Sequence, residues 1–182
     1  MYKQNNIFLI GLMGTGKTTV GRQLSKRLKR EFFDSDRVIE ERTGADIPLI
    51  FEKEGEDGFR RREREIIDEL TRKQNIILAT GGGAILSPEN RKHLSERGTV
   101  IYLKSSLDTL IERTSKDKNR PLLHADEAPQ VILGRLLEQR GPLYDEIADI
   151  VIHTANNSIH RVIQAIIGKL KQLPDEQAGA SD

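Results

Sequence analysis

One octapeptide restricts the fold more than anything else in the chain: Gly11-Leu12-Met13-Gly14-Thr15-Gly16-Lys17-Thr18, a G-x-x-x-x-G-K-[ST] pattern without departure. An apolar run, Ile7-Phe8-Leu9-Ile10, leads into it, and a helix-forming stretch, Thr18 to Arg30, follows. Buried strand, glycine loop and helix N-terminus are the context in which this pattern holds phosphate. The glycines let the backbone curl so that successive N–H groups converge on one anion. The helix brings the positive end of its dipole to the same point. Lys17 then reaches the β- and γ-phosphates of a nucleotide, and the Thr18 hydroxyl ligates Mg²⁺.

A chain of 182 residues has room for one such domain with a sizeable core. Only 4% of it is aromatic, without Trp, so that core must be built from Ile, Leu and Val. Net charge is +1, from 29 basic and 28 acidic residues, so no global field favours nucleic acid or membrane. Cysteine is absent, which excludes disulfides and thiolate metal sites. No apolar run approaches the ~20 residues of a membrane span, and no apolar leader precedes the first strand. The expected compartment is the cytoplasm.

Apolar runs that read as buried strands recur at 6–10, 75–80, 99–103 and 149–153, with a brief aromatic one at Phe32-Phe33. Helical patterns separate them. Strands alternating with helices predict a three-layer α/β/α fold around a central parallel sheet. One interval breaks that rhythm. Arg37–Arg42, a short helix opening at Pro48 and stopping near Gly55, and Phe59–Lys73 read as consecutive helices, an insertion suited to walling a site. Ser115 to Pro129 turns polar and reads as a mobile lid. Val131–Gln139 reads as a helix broken by Arg140-Gly141-Pro142, with another turn or two at Leu143–Ala148. The expected organisation is one domain over 1–172, with a substrate region at 34–63, a lid at 115–126 and a frayed tail at 173–182.

In open parallel sheets ligands sit beyond the carboxyl ends of the strands. Four stretches fall there: the phosphate loop, Asp34-Ser35-Asp36, Gly81-Gly82-Gly83, and the segment after His153. If strand geometry persists to its end, Asp34 and Asp36 point to one side. Asp34 is assigned to Mg²⁺, through water, because the strand at 75–80 ends in Thr80 and offers no acid. Asp36 then accepts or orients the proton of an acceptor hydroxyl. Three consecutive glycines exceed what a turn needs and let backbone approach a ligand closely. Arg60 opens an arginine-dense helix whose members mostly read as a solvated face paired with Glu63 and Glu65. One inward arginine there would suit a carboxylate. Arg140 is a second candidate. Arg120, beside Pro121 on the expected lid, is placed to cover the phosphates. The four histidines show no metal-ligand spacing.

This ordered set resembles shikimate kinase, a small member of the nucleoside-monophosphate-kinase-like group. The likeness runs from Asn6 to about Leu170. It rests on the octapeptide, Phe32–Asp36, Phe51–Gly55 with Gly58-Phe59-Arg60, Ala79–Gly83, Arg120–Leu123 and Arg140–Tyr144. It implies ATP-dependent phosphorylation of the shikimate 3-hydroxyl, a step toward chorismate and the aromatic amino acids, with Mg²⁺ as cofactor. It implies that Asp36, Arg60, Gly82 and Arg140 bind shikimate, with Gly81 and Gly83 flanking the contact. It implies that Gly14, Thr15, Gly16, Lys17, Thr18 and Thr19 hold ATP, that Arg113 lies against the adenine, and that Asn157 touches the nucleotide. Lys17, Asp36 and Arg120 would be catalytic, and Thr18 and Asp34 would hold the metal. Small-molecule substrates and a monomeric enzyme are the expected partners and state.

The nearest rival is a gluconate-kinase-like enzyme, which shares loop and lid but should lack paired arginines at 60 and 140. A GTPase switch lacks a source here, since neither Asp-x-x-Gly nor Asn/Thr-Lys-x-Asp occurs. A nucleotide-binding module without turnover is opposed by intact Lys17, Asp34, Asp36 and Arg120.

Overall fold

The computed structural model describes residues 5–115 and 127–173. Its elements, in order, are β1 (Ile7–Ile10), α1 (Lys17–Leu28), β2 (Glu31–Asp34), α2 (Ser35–Thr43), α3 (Ile47–Thr71), β3 (Ile76–Ala79), α4 (Pro88–Arg97), β4 (Thr99–Lys104), α5 (Leu107–Thr114), α6 (Pro129–Ile147), β5 (Ile150–His153) and α7 (Ile159–Leu170). A 3-10 turn at Ala84–Leu86 precedes α4. The five described strands form one parallel sheet in the order β2-β3-β1-β4-β5. The expected three-layer α/β/α architecture is what forms.

Because strand side chains alternate, each strand feeds both layers. Phe8, Ile10, Ile76, Leu78, Val100 and Tyr102 pack into the larger core with Ile67, Leu70, Leu94 and Leu133 from α3, α4 and α6. Ile7, Leu9, Ile77, Ile101 and Leu103 pack into the smaller one with Val20, Leu24, Val162 and Ile166 from α1 and α7. β1 lies between β3 and β4, with Ile7 opposite both Ile77 and Thr99. All four candidate stretches therefore emerge at one edge, around the crevice where the strand order reverses.

Three sequence expectations need correction. The helix after β2 begins at Ser35, not Arg37, because Asp34 caps it by accepting the Asp36 and Arg37 N–H groups. Strand geometry thus ends at Asp34, so strand alternation does not relate the two carboxylates, although they remain close enough to interact. The second correction concerns α6, which starts at Pro129 and runs unbroken through Arg140-Gly141-Pro142 to Ile147. Leu133, Leu136, Arg140 and Tyr144 form one buried stripe at helical spacing, and burying it outweighs the hydrogen bond Pro142 removes. The third concerns α3, whose two halves join directly, turning at Gly55 with φ 71° and ψ −178°. The lid expected over 115–126 lies outside the described residues except for Ser115, as does the expected tail beyond Leu173.

Candidate active site

The phosphate loop follows β1 directly. Gly11, Gly14 and Gly16 all have positive φ, and a Cβ on Gly11 would lie 2.5 Å from the Leu103 carbonyl oxygen. Lys17, the first residue of α1, reaches back across the loop. Its ammonium donates to the Gly11 and Leu12 carbonyls at 2.7 and 2.9 Å. Thr15 tightens the same turn by donating to Leu12 O. The Thr18 hydroxyl donates to Asp34 Oδ2 at 2.6 Å. Asp34 therefore caps α2 with one oxygen and meets Thr18 with the other. Thr19 is exposed on the same first turn of α1.

Asp36, one turn into α2, faces the glycine triplet. A Cβ on Gly81 would lie 2.6 Å from Asp36 Oδ1 and 2.9 Å from Glu63 Oε1. One on Gly82 would meet Met13 N at 3.3 Å and Arg140 Nη1 at 3.8 Å. One on Gly83 would fall within the Arg60 guanidinium. Each glycine thus clears space for a different group, which explains why there are three. The phosphate loop, Asp36, Arg60 and Arg140 converge on this turn from four separate parts of the chain.

The electrostatics are unusual. Burial, with the neighbouring Asp34 and Glu63 carboxylates, pushes Asp36 up to about 7 against the pull of Lys17 and Arg60. Its Oδ1 is buried without a hydrogen-bond partner. Arg60, 15% exposed, binds Glu63 Oε2 at 2.8 Å and Glu56 Oε1 at 3.1 Å. Its carbon lies 5.2 Å from the centre of the Phe59 ring. Arg140 is 4% exposed, yet no described carboxylate forms an ion pair with it. Burial lowers its pKa; Tyr144 works against that, and Arg60 works with it. Two guanidinium groups therefore flank the triplet, and Arg140 has the Glu56 and Glu63 charges within reach but no direct ion pair among the described residues.

Two participants escaped the sequence reading. Glu63 was expected among surface pairs but is 1% exposed, with Oε1 unpartnered and its pKa raised by burial. The signal was present: Glu63 shares the face of Phe59, Ile66, Ile67 and Leu70, which are all buried. Tyr144, fully buried, donates its hydroxyl to the Gly82 carbonyl. On the far side of the loop, Arg113 donates to Gly14 O and Thr154 O, both at 3.3 Å. Asn157 closes the adjoining turn by donating to His153 O at 3.1 Å. The two expected adenine-side residues are thus brought to one place. Arg120 lies outside the described residues.

The family model "Shikimate kinase" matches residues 13–171. Shikimate kinase 1 of Yersinia pestis (strain Pestoides F) is 52% identical over 94% of this chain and 99% of its own length. The chain belongs to the shikimate kinase family. Its reaction is therefore ATP-dependent phosphorylation of shikimate at the 3-hydroxyl. Among solved structures, a shikimate kinase from Acinetobacter baumannii in complex with shikimate superposes with TM-score 0.90 at 48% identity, covering 93% of this chain and 94% of that one. Shikimate kinase from Aquifex aeolicus gives 0.80 at 36% identity, covering 91% and 96%. A gluconokinase from Sinorhizobium meliloti gives 0.59 at 16% identity, covering 95% of each chain, which is a likeness of fold alone. No helix among the described residues is long and apolar enough to cross a membrane.

Proposed function

We propose that the carboxyl edge of the sheet works as two adjoining compartments, one for the triphosphate and one for shikimate, with Asp36 at their boundary. Gly14, Thr15, Gly16, Lys17, Thr18 and Thr19 hold the phosphates, while Arg113 and Asn157 lie on the adenine side. Arg60 and Arg140 hold the shikimate carboxylate, and Gly81, Gly82 and Gly83 meet its hydroxyl side. The observation that carries this reading is Arg140: a buried guanidinium close to a second guanidinium and without a direct ion pair among the described residues suits an incoming anion. A small acid with several hydroxyls suits arginine at one end and a carboxylate at the other.

Thr18 and Asp34 present hard oxygen donors in contact, next to the lysine of the loop. They fit Mg²⁺, Thr18 directly and Asp34 through water, and the ion would neutralise charge on the phosphates. Asp36 accepts or orients the proton of the attacking hydroxyl, and its raised pKa suits a base near neutral pH. Lys17 trades its loop carbonyls for phosphate oxygens. Arg120 keeps its assignment over the phosphates from the family motif alone. A monomeric, cytoplasmic enzyme remains the expected state and place for this biosynthetic role. Released ADP, measured with shikimate, gluconate or a nucleoside monophosphate as acceptor, tests the assignment. Turnover is expected with shikimate only, and turnover with gluconate but not shikimate would defeat it.

A further inference from the structure

A run of three glycines has little conformational preference of its own, and its peptide planes turn at small cost. In this turn every carbonyl is nevertheless held. Gly81 O accepts from Ala84 N, Gly83 O accepts from Leu86 N, and Gly82 O accepts from the Tyr144 phenol. The Gly81 N–H donates to Ser35 Oγ at 3.0 Å. The N–H groups of Gly82 and Gly83 donate to nothing among the described residues. The turn is thus anchored through its three acceptors and the Gly81 donor, and leaves two adjacent donors open.

Two of the three carbonyl bonds are local, made within the turn itself. The third comes from α6, 62 positions along the chain. No cis peptide occurs among the described residues, so the Gly82 C=O and the Gly83 N–H share one plane and point in opposite directions. Holding that carbonyl toward Tyr144 therefore fixes the Gly83 donor facing away from it. Tyr144 lies one helical turn after Arg140, and the same phenol faces the Arg140 guanidinium. Its ring is buried against Tyr102 of β4, with centroids 5.0 Å apart, so the phenol has no freedom to drift.

We propose that Tyr144 is a positioning residue for phosphoryl transfer, which pins the Gly82–Gly83 peptide so that the Gly83 N–H is presented to shikimate in register with Arg140. This rests on the reading that the glycine turn meets shikimate. Without the phenol the Gly82 carbonyl is left buried and unpaired, and the peptide is free to turn. The pocket must then order a loose glycine pair each time substrate binds.

Tyr144→Phe removes the hydroxyl and keeps the ring. It is expected to lower kcat/KM for shikimate about tenfold or more while the ATP KM stays within about twofold. Tyr102→Phe removes the other hydroxyl of the same ring pair, one that makes no hydrogen bond among the described residues, and is expected to leave both parameters unchanged. Shikimate kinetics within about twofold of wild type in Tyr144→Phe would overturn the proposal. So would a parallel fall in the shikimate and ATP parameters, or an equal fall in Tyr102→Phe, since either marks a packing effect. A measurement on the unaltered protein stands beside these: the ¹⁵N–¹H resonance of Gly83 should shift on saturation with shikimate, and an unmoved resonance would also overturn it. Gly82→Ala separates the two levels. If it leaves the shikimate KM unchanged, the reading of the turn fails, and this inference with it. If it raises that KM while Tyr144→Phe does not, only the pinning role is lost.

Discussion

At the residue scale, the site stores charge it cannot neutralise without ligands. Asp34, Asp36 and Glu63 crowd one side of the glycine turn, and Arg140 forms no ion pair with a described carboxylate on the other. For an acid whose folded pKa is raised, stability is greatest below the unfolded value of 3.8 and is lost as pH rises toward about 7. Asp36→Asn should therefore stabilise the unliganded protein at pH 8, by about 1–3 kcal/mol, and much less at pH 4. The same variant should lower kcat by about 10²–10⁴ with little change in ATP KM. Thermal midpoints at the two pH values, alongside steady-state kinetics, check both; equal midpoint shifts at pH 4 and pH 8 would contradict the electrostatic cause. For Arg140 the expectation has the same sense. Arg140→Met should cost about 2–4 kcal/mol in shikimate binding, read by calorimetry, without lowering the unliganded midpoint. Lysine there should not restore binding, because it lacks the planar fork.

At the element scale, α3 carries the residues proposed to meet shikimate. Gly55 sits in a backbone region nearly closed to other residues, and the turn it makes aims the half-helix that carries Arg60 and Glu63. Arg62 bridges the bend with two hydrogen bonds to the Glu54 carboxylate, at 2.9 and 2.6 Å. Gly55→Ala should cost about 1–3 kcal/mol and raise the shikimate KM, whereas Gly44→Ala, at a helix end far from Arg60 in sequence, should affect stability alone. This is also where the limits of legibility show. Sheet, strand ends and phosphate loop could be read because short apolar runs and an octapeptide are local signals. Arg60 and Arg140 could be named, but Glu63 was hidden by its arginine-rich neighbours, since charge pattern alone suggests a wet face. The unbroken course of α6 was hidden because Pro142 argues locally for a break, while the stripe through Arg140 and Tyr144 argues for continuity only once its partners are known.

At the scale of the whole molecule, the two edges of the sheet do different work. The amino edge is closed by satisfied polar groups. Asn6 donates to the Lys73 and Arg97 carbonyls and accepts from Ile76 N. Arg97 reaches Asp68 Oδ1 and Thr71 Oγ1, both at 2.8 Å, joining the end of α4 to α3. Hydrogen bonds from Arg97 and Arg72 hold Asp68 down at about 2. Stabilisation of this kind is present above the unfolded value of 3.8 and disappears as pH falls toward 2. Asp68→Asn should flatten the stability curve across that window. The effect should be about 1 kcal/mol, since the side chain is partly solvated. A denaturant series at pH 3 and pH 6 measures it, and identical slopes in the two proteins would refute it.

The way Lys17 grips the Gly11 and Leu12 carbonyls bears on what happens when nucleotide arrives. The ammonium ties two of the loop's carbonyls together and so keeps the cradle curled. On the proposed reading, entry of the triphosphate is an exchange of partners for a cation already in position, and little main-chain ordering remains to oppose it.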